Sequence, residues 1–353
     1  MKNILVTGGA GFIGSNFIKY ILDHDPNVNI VNLDLLTYAG NLENLVDISD
    51  ESRYTFKKGD IRDRVLVNQL FNEYDFCSII NFAAESHVDR SIVEPDIFLS
   101  TNVIGVQVLL DTAMSHWKTE PHNKYSKEYR KSVKFIQIST DEVYGTLGKS
   151  GMFSEKTPLA PNNPYSASKA SADLVVRAYY KTYGMPVNIT RCSNNYGPYQ
   201  FPEKLIPLMI ANCQEEKPLP VYGDGMQIRD WLHVSDHCAA IMCVLEKGQA
   251  GEVYNIGGNN EYTNIDIVRM IVKELGKSES LIKYVKDRPG HDRRYAMDSS
   301  KIKSELGWKP SYTFEKGLSE TINWYITHKN WLDRVRSGEY MEYYEKMYGT
   351  VNV

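Results

Sequence analysis

The chain has 353 residues, of which 42% are hydrophobic and 24% are charged. A chain of this length can bury a large core, and we expect it to form two lobes rather than one. The formal net charge of −4 excludes a broad basic surface, so we expect no nucleic-acid partner and no anionic membrane partner. Any site for an anion must therefore be local.

The N-terminal residues show no pattern of an export signal. Met1, Lys2 and Asn3 lead directly into a strand-like run, and we expect no stretch that is apolar for long enough to span a bilayer. The five cysteines are odd in number and include no Cys-x-x-Cys pair, which argues against a disulfide framework and against a zinc site. These features predict a cytoplasmic protein without a bound metal.

Short β-branched runs alternate with helix-length segments through the first half of the chain. The predicted strands are residues 4–7, 30–33, 54–56, 78–82, 134–139 and 187–191. Short apolar strands separated by helices indicate a parallel sheet with helices on both faces. The predicted fold class is therefore α/β, a doubly wound parallel Rossmann-type sheet with a smaller α/β lobe that binds substrate.

Prolines and glycines become frequent after about residue 190, where the regular alternation ends. Residues 1–191 are expected to form the nucleotide-binding domain, and residues 192–228 and 257–353 the substrate-binding lobe. The strand-like runs at 229–234 and 253–256 are expected to return to the first domain, so the segment 229–256 is placed with it. The polar segment 118–131 is interpreted as an exposed helix extension or loop.

A glycine motif follows the first predicted strand and precedes a helical pattern. Gly8, Gly11 and Gly14 permit a tight turn, a close backbone approach to a pyrophosphate and tight packing of the helix on the strand. The N-terminus of the helix then presents N–H groups to the phosphates. A flexible turn is the alternative interpretation, but the position between a strand and a helix favours a dinucleotide site.

Asp34 ends the second strand, 20 residues after Gly14. A carboxylate at this position can accept hydrogen bonds from both ribose hydroxyls and repels a 2′-phosphate, which favours NAD over NADP as the cofactor. The alternative is that Asp34 only caps a turn. Asp60, after the third strand, is a weaker candidate for the adenine edge.

Tyr165 and Lys169 lie four residues apart at the start of a predicted helix that runs to about residue 183, so their side chains point in one direction. A lysine ammonium beside a phenol lowers the pKa of the phenol, which lets the tyrosine act as a base near neutral pH. The same spacing recurs elsewhere in the chain. What distinguishes Tyr165 is its place after the fifth strand of a nucleotide-binding sheet.

Thr140, Asp141 and Glu142 stand at the carboxyl end of that fifth strand, where open α/β sheets bind their ligands. The Thr140 hydroxyl can hydrogen-bond a substrate oxygen beside Tyr165. The two carboxylates offer an acid and a base if their environments separate their pKa values. Adjacent acidic residues are more often a solvated loop, so this assignment depends on the flanking motifs.

Five motifs together resemble the nucleotide-sugar branch of the extended short-chain dehydrogenases. They are the glycine motif of residues 8–14, Ala-Ala-Glu-Ser-His-Val-Asp at 83–89, Ser-Thr-Asp-Glu-Val-Tyr-Gly at 139–145, Tyr165-x-x-x-Lys169, and Arg-Asp-Trp at 229–231. They occur in the order typical of that branch, and the resemblance as a whole extends from residue 2 to about residue 306. Within that branch, the chain is similar to the dTDP-glucose 4,6-dehydratases in particular. The presence of both Asp141 and Glu142 favours dehydration, because epimerases usually carry small or hydroxyl residues there.

This resemblance implies a hydro-lyase that retains NAD and acts on dTDP-glucose. Tyr165, assisted by Lys169, would remove the proton of the C4 hydroxyl while hydride passes to NAD, and Thr140 would hold the C4 oxygen. Glu142 would then take the C5 proton while Asp141 protonates the leaving C6 hydroxyl, before hydride returns to C6. Asp141 must be protonated for this step, which requires a raised pKa.

The resemblance also implies larger sets of contact residues. The residues expected to bind NAD are Gly8, Gly11, Phe12, Ile13, Gly14, Asp34, Leu35, Thr37, Asp60, Ile61, Phe82, Ala83, Ala84, Ser86, Thr101, Tyr165, Lys169 and Asn195. The residues expected to bind the nucleotide sugar are Ser86, Thr140, Asn194, Lys204, Leu205, Pro220, Tyr222, Arg229, Asn264, Asp292, Arg293 and Tyr295. Arg229 can pair with phosphate oxygens and Arg288 adds positive charge. Tyr222 is equally plausible as a core aromatic residue, and His87 as a buried structural histidine.

Two other functions stay open at this point. Another enzyme on the same scaffold, such as a nucleotide-sugar 4-epimerase or a dehydratase for a different nucleotide, would share most of these motifs. A non-catalytic NAD-sensing regulator would need the glycine motif but not the residues of the predicted catalytic set. The resemblance also implies a homodimer in which helices near 103–115 and 166–183 of two chains pack as a four-helix bundle.

Overall fold

The computed structural model describes residues 1–123, 125–287 and 289–336. Its strands, in chain order, are β1 (Lys2–Thr7), β2 (Val28–Asp34), β3 (Tyr54–Lys58), β4 (Ser78–Asn81), β5 (Lys134–Thr140), β6 (Val187–Cys192), β7 (Asn194–Tyr196), β8 (Leu219–Tyr222), β9 (Ile228–His233), β10 (Val253–Ile256), β11 (Glu261–Thr263) and β12 (Ile282–Val285). Seven of them form one sheet in the order β10-β6-β5-β4-β1-β2-β3, in which every neighbouring pair is parallel. The predicted doubly wound α/β sheet is therefore confirmed.

The helices are, in chain order, α1 (Phe12–His24), α2 (Arg64–Tyr74), α3 (Val88–Val93), α4 (Pro95–Leu99), α5 (Val106–Trp117), α6 (Pro164–Tyr183), α7 (Leu205–Gln214), α8 (Val234–Lys247), α9 (Asn264–Glu274), α10 (Ser300–Leu306), α11 (Phe314–Thr327) and α12 (Lys329–Val335). Short 3-10 helices occupy Leu42–Ile48, Asp141–Tyr144 and Glu279–Leu281, and a wide π-helical turn, Ser100–Gly105, joins α4 to α5.

Helices cover both faces of the seven-stranded sheet. Ile4 and Val6 of β1 pack towards α1 and α8, whereas Leu5 packs towards α2, α5 and α6. Successive side chains of a strand point to opposite faces, so a sheet that is covered on both faces needs a continuous apolar run. This requirement explains why the strands of the first lobe are apolar without alternation.

In the residues that the structure describes, the second lobe comprises two small sheets and four helices. One sheet has the order β11-β9-β7 and the other pairs β12 with β8. Helices α7, α9, α11 and α12 enclose a separate apolar core beside these sheets. The lobe follows β6 in the chain, so it lies at the carboxyl edge of the large sheet.

The return of the chain to the first lobe differs from the sequence expectation. The strand expected to return at residue 229 is β9, and it pairs with β7 and β11 inside the second lobe. Asp230 explains this pairing, because its carboxylate accepts the backbone N–H groups of Gly258 (3.1 Å) and Asn260 (2.8 Å) in the loop before β11. The chain returns only with α8, which packs on α1, and with β10, which joins the edge of the large sheet.

One helical stretch, Pro95–Trp117, is long and apolar enough to cross a membrane by length and composition alone. The expectation that no stretch meets this criterion was therefore wrong. Half of the most apolar window in this stretch is buried inside the fold, and a buried core helix passes the same test.

Some sequence expectations fall outside the described residues, namely those for Arg288 and for residues 337–353 of the second lobe. The polar segment 118–131 is described except for residue 124. It forms a loop that is closed by an antiparallel bridge between Lys118 and Tyr129.

Candidate active site

A cleft opens at the carboxyl ends of the parallel strands, between the first lobe and residues 193–204 of the second. All five predicted catalytic residues and all the predicted cofactor residues line this cleft. Four predicted substrate residues also line it, namely Ser86, Thr140, Asn194 and Lys204. The tertiary structure thus brings one continuous surface together from residues that are up to 196 positions apart, from Gly8 to Lys204.

The glycine motif lines the cleft between β1 and α1. Gly8 has a φ of 68°, and a Cβ at this position would come within 2.5 Å of the backbone nitrogen of Ala83. Helix α1 begins after Gly11, and Phe12 and Ile13 of its first turn face the cleft. The first N–H groups of a helix have no intrahelical partner, so this end of α1 can bind phosphate oxygens.

Asp34 lies at the end of β2 with both carboxylate oxygens already engaged. Oδ2 accepts the N–H of Ala10 (2.8 Å) and Oδ1 accepts the N–H of Leu36 (2.8 Å). Burial raises the pKa of Asp34, and these two bonds act in the opposite direction. Each carboxylate oxygen can accept a second hydrogen bond, so the side chain keeps capacity for two ribose hydroxyls.

Asp60 is held by Arg62, a cleft residue that the sequence analysis missed. The Arg62 Nε lies 2.9 Å from Asp60 Oδ2, and its Nη1 donates to Ser100 Oγ (3.0 Å). Although burial raises the pKa of Asp60, the bonds from Arg62 keep that pKa below its ordinary value. The Asp-x-Arg spacing directly after β3 was the available signal, and the pair places a planar cation at this end of the cleft.

Tyr165 and Lys169 are positioned by the first turns of α6. The side chain of Asn163 accepts the N–H of Ser166 (2.9 Å), and Pro164 occupies the first helical position, so the start of α6 is firmly capped. Tyr165 and Lys169 are both buried. The Lys169 Nζ donates to the carbonyl oxygen of Ile138 (2.6 Å) in β5.

The electrostatics of Tyr165 differ from the sequence expectation. Burial raises the pKa of Tyr165 well above its ordinary value, and the Glu142 carboxylate raises it further, while a hydrogen bond with Thr140 acts in the opposite direction. The expected lowering by Lys169 is not among the main influences, because that ammonium is bonded to Ile138 and its own pKa is lowered by burial.

Asp141 has the electrostatic environment of an acid. It is buried, and its Oδ1 accepts the hydroxyl of Thr140 (3.1 Å). Burial raises the pKa of Asp141 well above its ordinary value, and the neighbouring Glu142 carboxylate adds to this, while Arg229 lowers it. Thr140 also caps the short helix that contains both carboxylates, because its Oγ1 accepts the N–H of Glu142 (3.3 Å).

Several buried polar atoms of cleft residues have no hydrogen-bond partner among the described residues. They include Ser139 Oγ, Asp141 Oδ2 and Asn194 Oδ1. A buried polar atom without a partner costs free energy, which a polar ligand can recover. The donor and acceptor groups that are present, together with the glycine motif and Asp34, therefore fit a dinucleotide and a hydroxylated substrate.

Arg229, Asp292 and Tyr295 form a cluster in the second lobe next to the catalytic carboxylates. The Arg229 guanidinium lies 4.2 Å from the centre of the Tyr295 ring, and its Nη2 donates to the carbonyl oxygen of Asp292 (2.9 Å). The Tyr295 hydroxyl donates to Asp292 Oδ2 (2.6 Å). Burial raises the pKa of Tyr295 and Glu142 raises it further, so this cluster lies within electrostatic reach of Glu142.

The other predicted substrate residues are not among those that line the cleft. Leu205 begins α7, Pro220 and Tyr222 belong to β8, and Asn264 begins α9. Arg293 forms an exposed bidentate pair with Asp224, with distances of 2.8 and 3.0 Å. Tyr222 is only half-buried, in contact with the His291 ring, so it is not a fully buried core residue.

Comparisons with known proteins agree with this geometry. A sequence model of the GDP-mannose 4,6-dehydratase family matches residues 5–321. The dTDP-glucose 4,6-dehydratase of Xanthomonas campestris pv. campestris (strain B100) is 54% identical over 349 residues, which cover 96% of this chain and 97% of that protein. The chain belongs to the dTDP-glucose 4,6-dehydratase family. The resemblance inferred from the motifs, and the expectation of a dehydratase, are thus confirmed.

Solved structures of dTDP-glucose 4,6-dehydratases share the fold over nearly the whole chain. The Bacillus anthracis enzyme, in complex with NAD, is 53% identical with a TM-score of 0.86, covering 95% of this chain and 100% of that chain. DesIV of Streptomyces venezuelae, with NAD and dTDP bound, is 46% identical with a TM-score of 0.87, covering 94% and 99%.

This dehydratase-family cleft also contains a buried acidic group that the motifs did not reveal. Glu203 accepts the Tyr38 hydroxyl (3.3 Å), and its carboxylate lies 3.7 Å from His87 Nε2. Burial raises the pKa of Glu203 to about 7. His87 is itself buried and its Nδ1 accepts the N–H of Arg90 (3.4 Å), in line with the structural alternative for that histidine.

Asn102 is a second buried polar residue that the motifs did not reveal, although it does not line the cleft itself. Its Oδ1 accepts the N–H of Glu85 (2.9 Å), and its Nδ2 donates to Glu85 O (3.0 Å) and to Ser168 Oγ (2.8 Å). Ser168 in turn donates to the carbonyl oxygen of Tyr165 (2.7 Å), so Asn102 links the loop after β4 to α6. Asn102 lies on the π-helical turn, a type of turn that is frequent at functional sites. The only signal in the sequence was an amide side chain within a mostly apolar stretch.

Among the described residues, no group of three or more His, Cys, Asp or Glu side chains could hold a metal ion. All five cysteines are free thiols, and three of them are buried.

Proposed function

We propose that this chain converts dTDP-glucose to dTDP-4-keto-6-deoxyglucose and water, with NAD as a retained cofactor. The observation that carries the proposal is the buried Asp141 beside Glu142 and Tyr165 in one cleft, because elimination of water needs a protonated carboxyl next to a base. Membership of the dTDP-glucose 4,6-dehydratase family supports the identity of the substrate.

The cofactor is proposed to lie along the carboxyl ends of β1 to β5. The first turn of α1 would bind the pyrophosphate, Asp34 the adenosine ribose, and Arg62 with Asp60 the adenine side of the cleft. Tyr165 and Lys169 would lie at the nicotinamide end. When bound there, NAD supplies a positively charged ring that lowers the pKa of the phenol, accepts the hydride from C4 and returns it to C6.

The first proton is removed by Tyr165. Its hydroxyl would take the proton of the C4 hydroxyl, while Lys169 holds α6 against β5 through Ile138 and contributes positive charge. Thr140, bonded to both Asp141 and Glu142, would orient the C4 oxygen. The ketone formed at C4 makes the C5 proton acidic.

Water is then lost through the two adjacent carboxylates. Glu142 would take the C5 proton, and Asp141 would donate its proton to the departing C6 hydroxyl. Burial and the Glu142 charge raise the pKa of Asp141 well above its ordinary value, which favours the protonated state that this step requires. A buried cleft wall also limits access of bulk water to the reacting carbons.

The second lobe would bind the nucleotide diphosphate. Arg229 supplies positive charge beside Asp141, and Lys204 lines the cleft with its Nζ bonded to Ser86 O (3.2 Å). Tyr222 of β8, Asn264 of α9 and the other predicted residues of this lobe would hold the nucleoside. The division into 1–191 with 229–256 and 192–228 with 257–353 remains part of this proposal, with β9 reassigned to the second lobe.

The deciding experiment is a mass-resolved assay of dTDP-glucose with the purified protein and no added NAD. Loss of one water from the sugar nucleotide supports the proposal, whereas a product of unchanged mass indicates a 4-epimerase. Parallel incubations with UDP-glucose and GDP-mannose identify a dehydratase for a different nucleotide. A protein that binds NAD but converts none of these substrates would indicate the regulator alternative.

A homodimer is also proposed, formed through α5 and α6. Large apolar side chains are exposed beside these helices, namely Leu99 (49%), Ile104 (51%) and Leu174 (56%), which is the pattern of a covered surface. Sedimentation should show a dimer that Leu174→Glu dissociates, and a wild-type monomer would contradict the proposal. The free thiols are consistent with a cytoplasmic location.

A further inference from the structure

Ala10 in the glycine motif is held through both its backbone N–H and its backbone carbonyl. The N–H of Ala10 donates to Asp34 (2.8 Å), and its carbonyl oxygen accepts the N–H of Asn41 (3.0 Å) and the side-chain Nδ2 of Asn44 (2.9 Å). This carbonyl shares one rigid peptide plane with the N–H of Gly11, the residue that caps α1. The Gly11 N–H itself donates to Gly8 O (3.2 Å), so Asn44 and the Asn41 N–H together orient the peptide that leads into the phosphate-facing end of α1.

Asn44 also receives a hydrogen bond from the other lobe. Asn44 lies buried on the short helix Leu42–Ile48, and its Oδ1 accepts the indole N–H of Trp331 (2.9 Å). Trp331 belongs to α12, 287 residues later in the chain, and packs edge-on against Tyr199 (5.8 Å between ring centres) and Trp324 (5.2 Å) in the core of the second lobe. The Asn44 amide thus bonds to both lobes, through its nitrogen to Ala10 in the first lobe and through its oxygen to Trp331 in the second.

We propose that Asn44 and Trp331 form a clamp through which the second lobe holds the glycine motif in the shape that retains NAD. The proposal rests on the proposed function, because it requires NAD in this cleft. Neither residue lines the cleft, so both are positioning residues that act through Ala10. Retention of the cofactor then depends on the docking of the lobe that binds the sugar nucleotide.

The clamp requires a carboxamide rather than another polar group. An amide donates to Ala10 O with its nitrogen and accepts from Trp331 with its oxygen, whereas a carboxylate can only accept. The nearby ion pair between Arg334 and Glu43 (2.5 Å) joins the same two segments, but it is solvent-exposed and contributes little. The buried hydrogen bond between Asn44 and Trp331 is therefore the stronger of these two links between the short helix Leu42–Ile48 and α12.

Three substitutions separate the two halves of the clamp. Asn44→Ala removes both bonds, Asn44→Asp keeps an acceptor for Trp331 but offers no donor to Ala10 O, and Trp331→Phe removes only the bond from the second lobe. Trp324→Phe is the matched control, because it shortens a tryptophan of the same aromatic cluster that has no bond to Asn44.

The measurements are the NAD content per chain after gel filtration, the Kd for NAD, and the turnover of dTDP-glucose at saturating NAD. Asn44→Ala leaves the buried Trp331 N–H without its acceptor and Ala10 O with only the Asn41 N–H, and Asn44→Asp places a carboxylate oxygen against Ala10 O. Each of these changes predicts a rise in Kd of about tenfold or more, and Trp331→Phe predicts a smaller rise. Turnover at saturating NAD should fall far less than affinity. Trp324→Phe should match the wild type in all three.

Several outcomes would overturn the clamp. Variants of Asn44 and Trp331 that retain NAD as tightly as Trp324→Phe would refute it entirely. If only the Asn44 variants lose NAD, the contribution of the second lobe is wrong. Should Asn44→Ala fail to fold, Asn44→Asp and Trp331→Phe still decide the question. A wild-type chain that neither contains nor binds NAD would instead refute the proposed function.

Discussion

Replacing Asp141 by Asn removes an acidic proton while it preserves the size of the side chain. Asp141 is 2% exposed, and its bond from the Thr140 hydroxyl (3.1 Å) can be accepted equally by an amide oxygen. We therefore expect Asp141→Asn to fold and to bind both ligands. Its effect on the reaction should be confined to the step that needs the proton.

The expected loss is in elimination. A positioned general acid contributes about 10²–10⁴-fold to a rate, which corresponds to about 2.7–5.5 kcal/mol of activation free energy. Oxidation at C4 uses Tyr165 and Thr140 instead and should change much less. A single-turnover reaction followed by product mass and by the ultraviolet absorbance of the reduced cofactor separates the two steps. Glu155→Gln, a carboxyl-to-amide change outside the cleft, is the matched control.

The same substitution should stabilise the fold at neutral pH. The pKa of folded Asp141 is raised well above the unfolded value of about 3.9, so the folded chain holds this proton more tightly. The contribution of Asp141 to the free energy of unfolding is greatest at low pH. It falls as the pH rises above about 3.9, by up to about 1.4 kcal/mol per pH unit until the pKa of the folded state is reached. Asn has no such proton, so the gain from Asp141→Asn in urea unfolding should grow from acidic to neutral pH.

Two results would refute this reasoning. Dehydration at the wild-type rate would show that Asp141 is not the acid. A variant less stable than the wild type at neutral pH would show that burial does not hold the carboxyl in its protonated form.

Three further predictions concern the scaffold. Gly8→Ala should lower the free energy of unfolding by about 2–4 kcal/mol, because of the positive φ and the backbone clash, whereas Gly148→Ala, which has open space around its Cβ, should leave urea unfolding unchanged. Asp173→Asn breaks a buried ion pair (2.8 Å) and should lower the free energy of unfolding by about 3–5 kcal/mol. Glu73→Gln breaks a solvent-exposed pair and should have a much smaller effect, so equal effects in urea would contradict this. Burial lowers the pKa of His237 to about 3, so only the unfolded chain takes up a proton at this residue as the pH drops below about 6.5. The free energy of unfolding therefore falls with the pH in this range. His237→Gln should flatten that loss in unfolding curves, and an unaltered pH profile would count against it.

Local sequence spacing was sufficient to predict the residues of the cofactor half of the site. A glycine motif between a strand and a helix, followed by Asp34 at the end of the next strand, places both groups at one edge of a parallel sheet whatever the rest of the chain does. The same holds for Thr140, Asp141 and Glu142, because a residue that follows a buried parallel strand must emerge at the carboxyl edge. Each of these groups was predicted from the sequence, and each lines the cleft.

Groups that depend on contacts between distant segments could not be predicted in this way. Spacing indicated that Lys169 faces Tyr165, but only the fold shows that Ile138 takes the ammonium and that burial raises the pKa of the phenol. The pairing of β9 depended on where the loop before β11 lies. The bond between Asn44 and Trp331 joins residues 287 positions apart. Sequence spacing determined which chemical groups reach the edge of the sheet. The tertiary structure decided the direction of their pKa shifts and their hydrogen-bond partners, because burial sets the first and long-range packing sets the second.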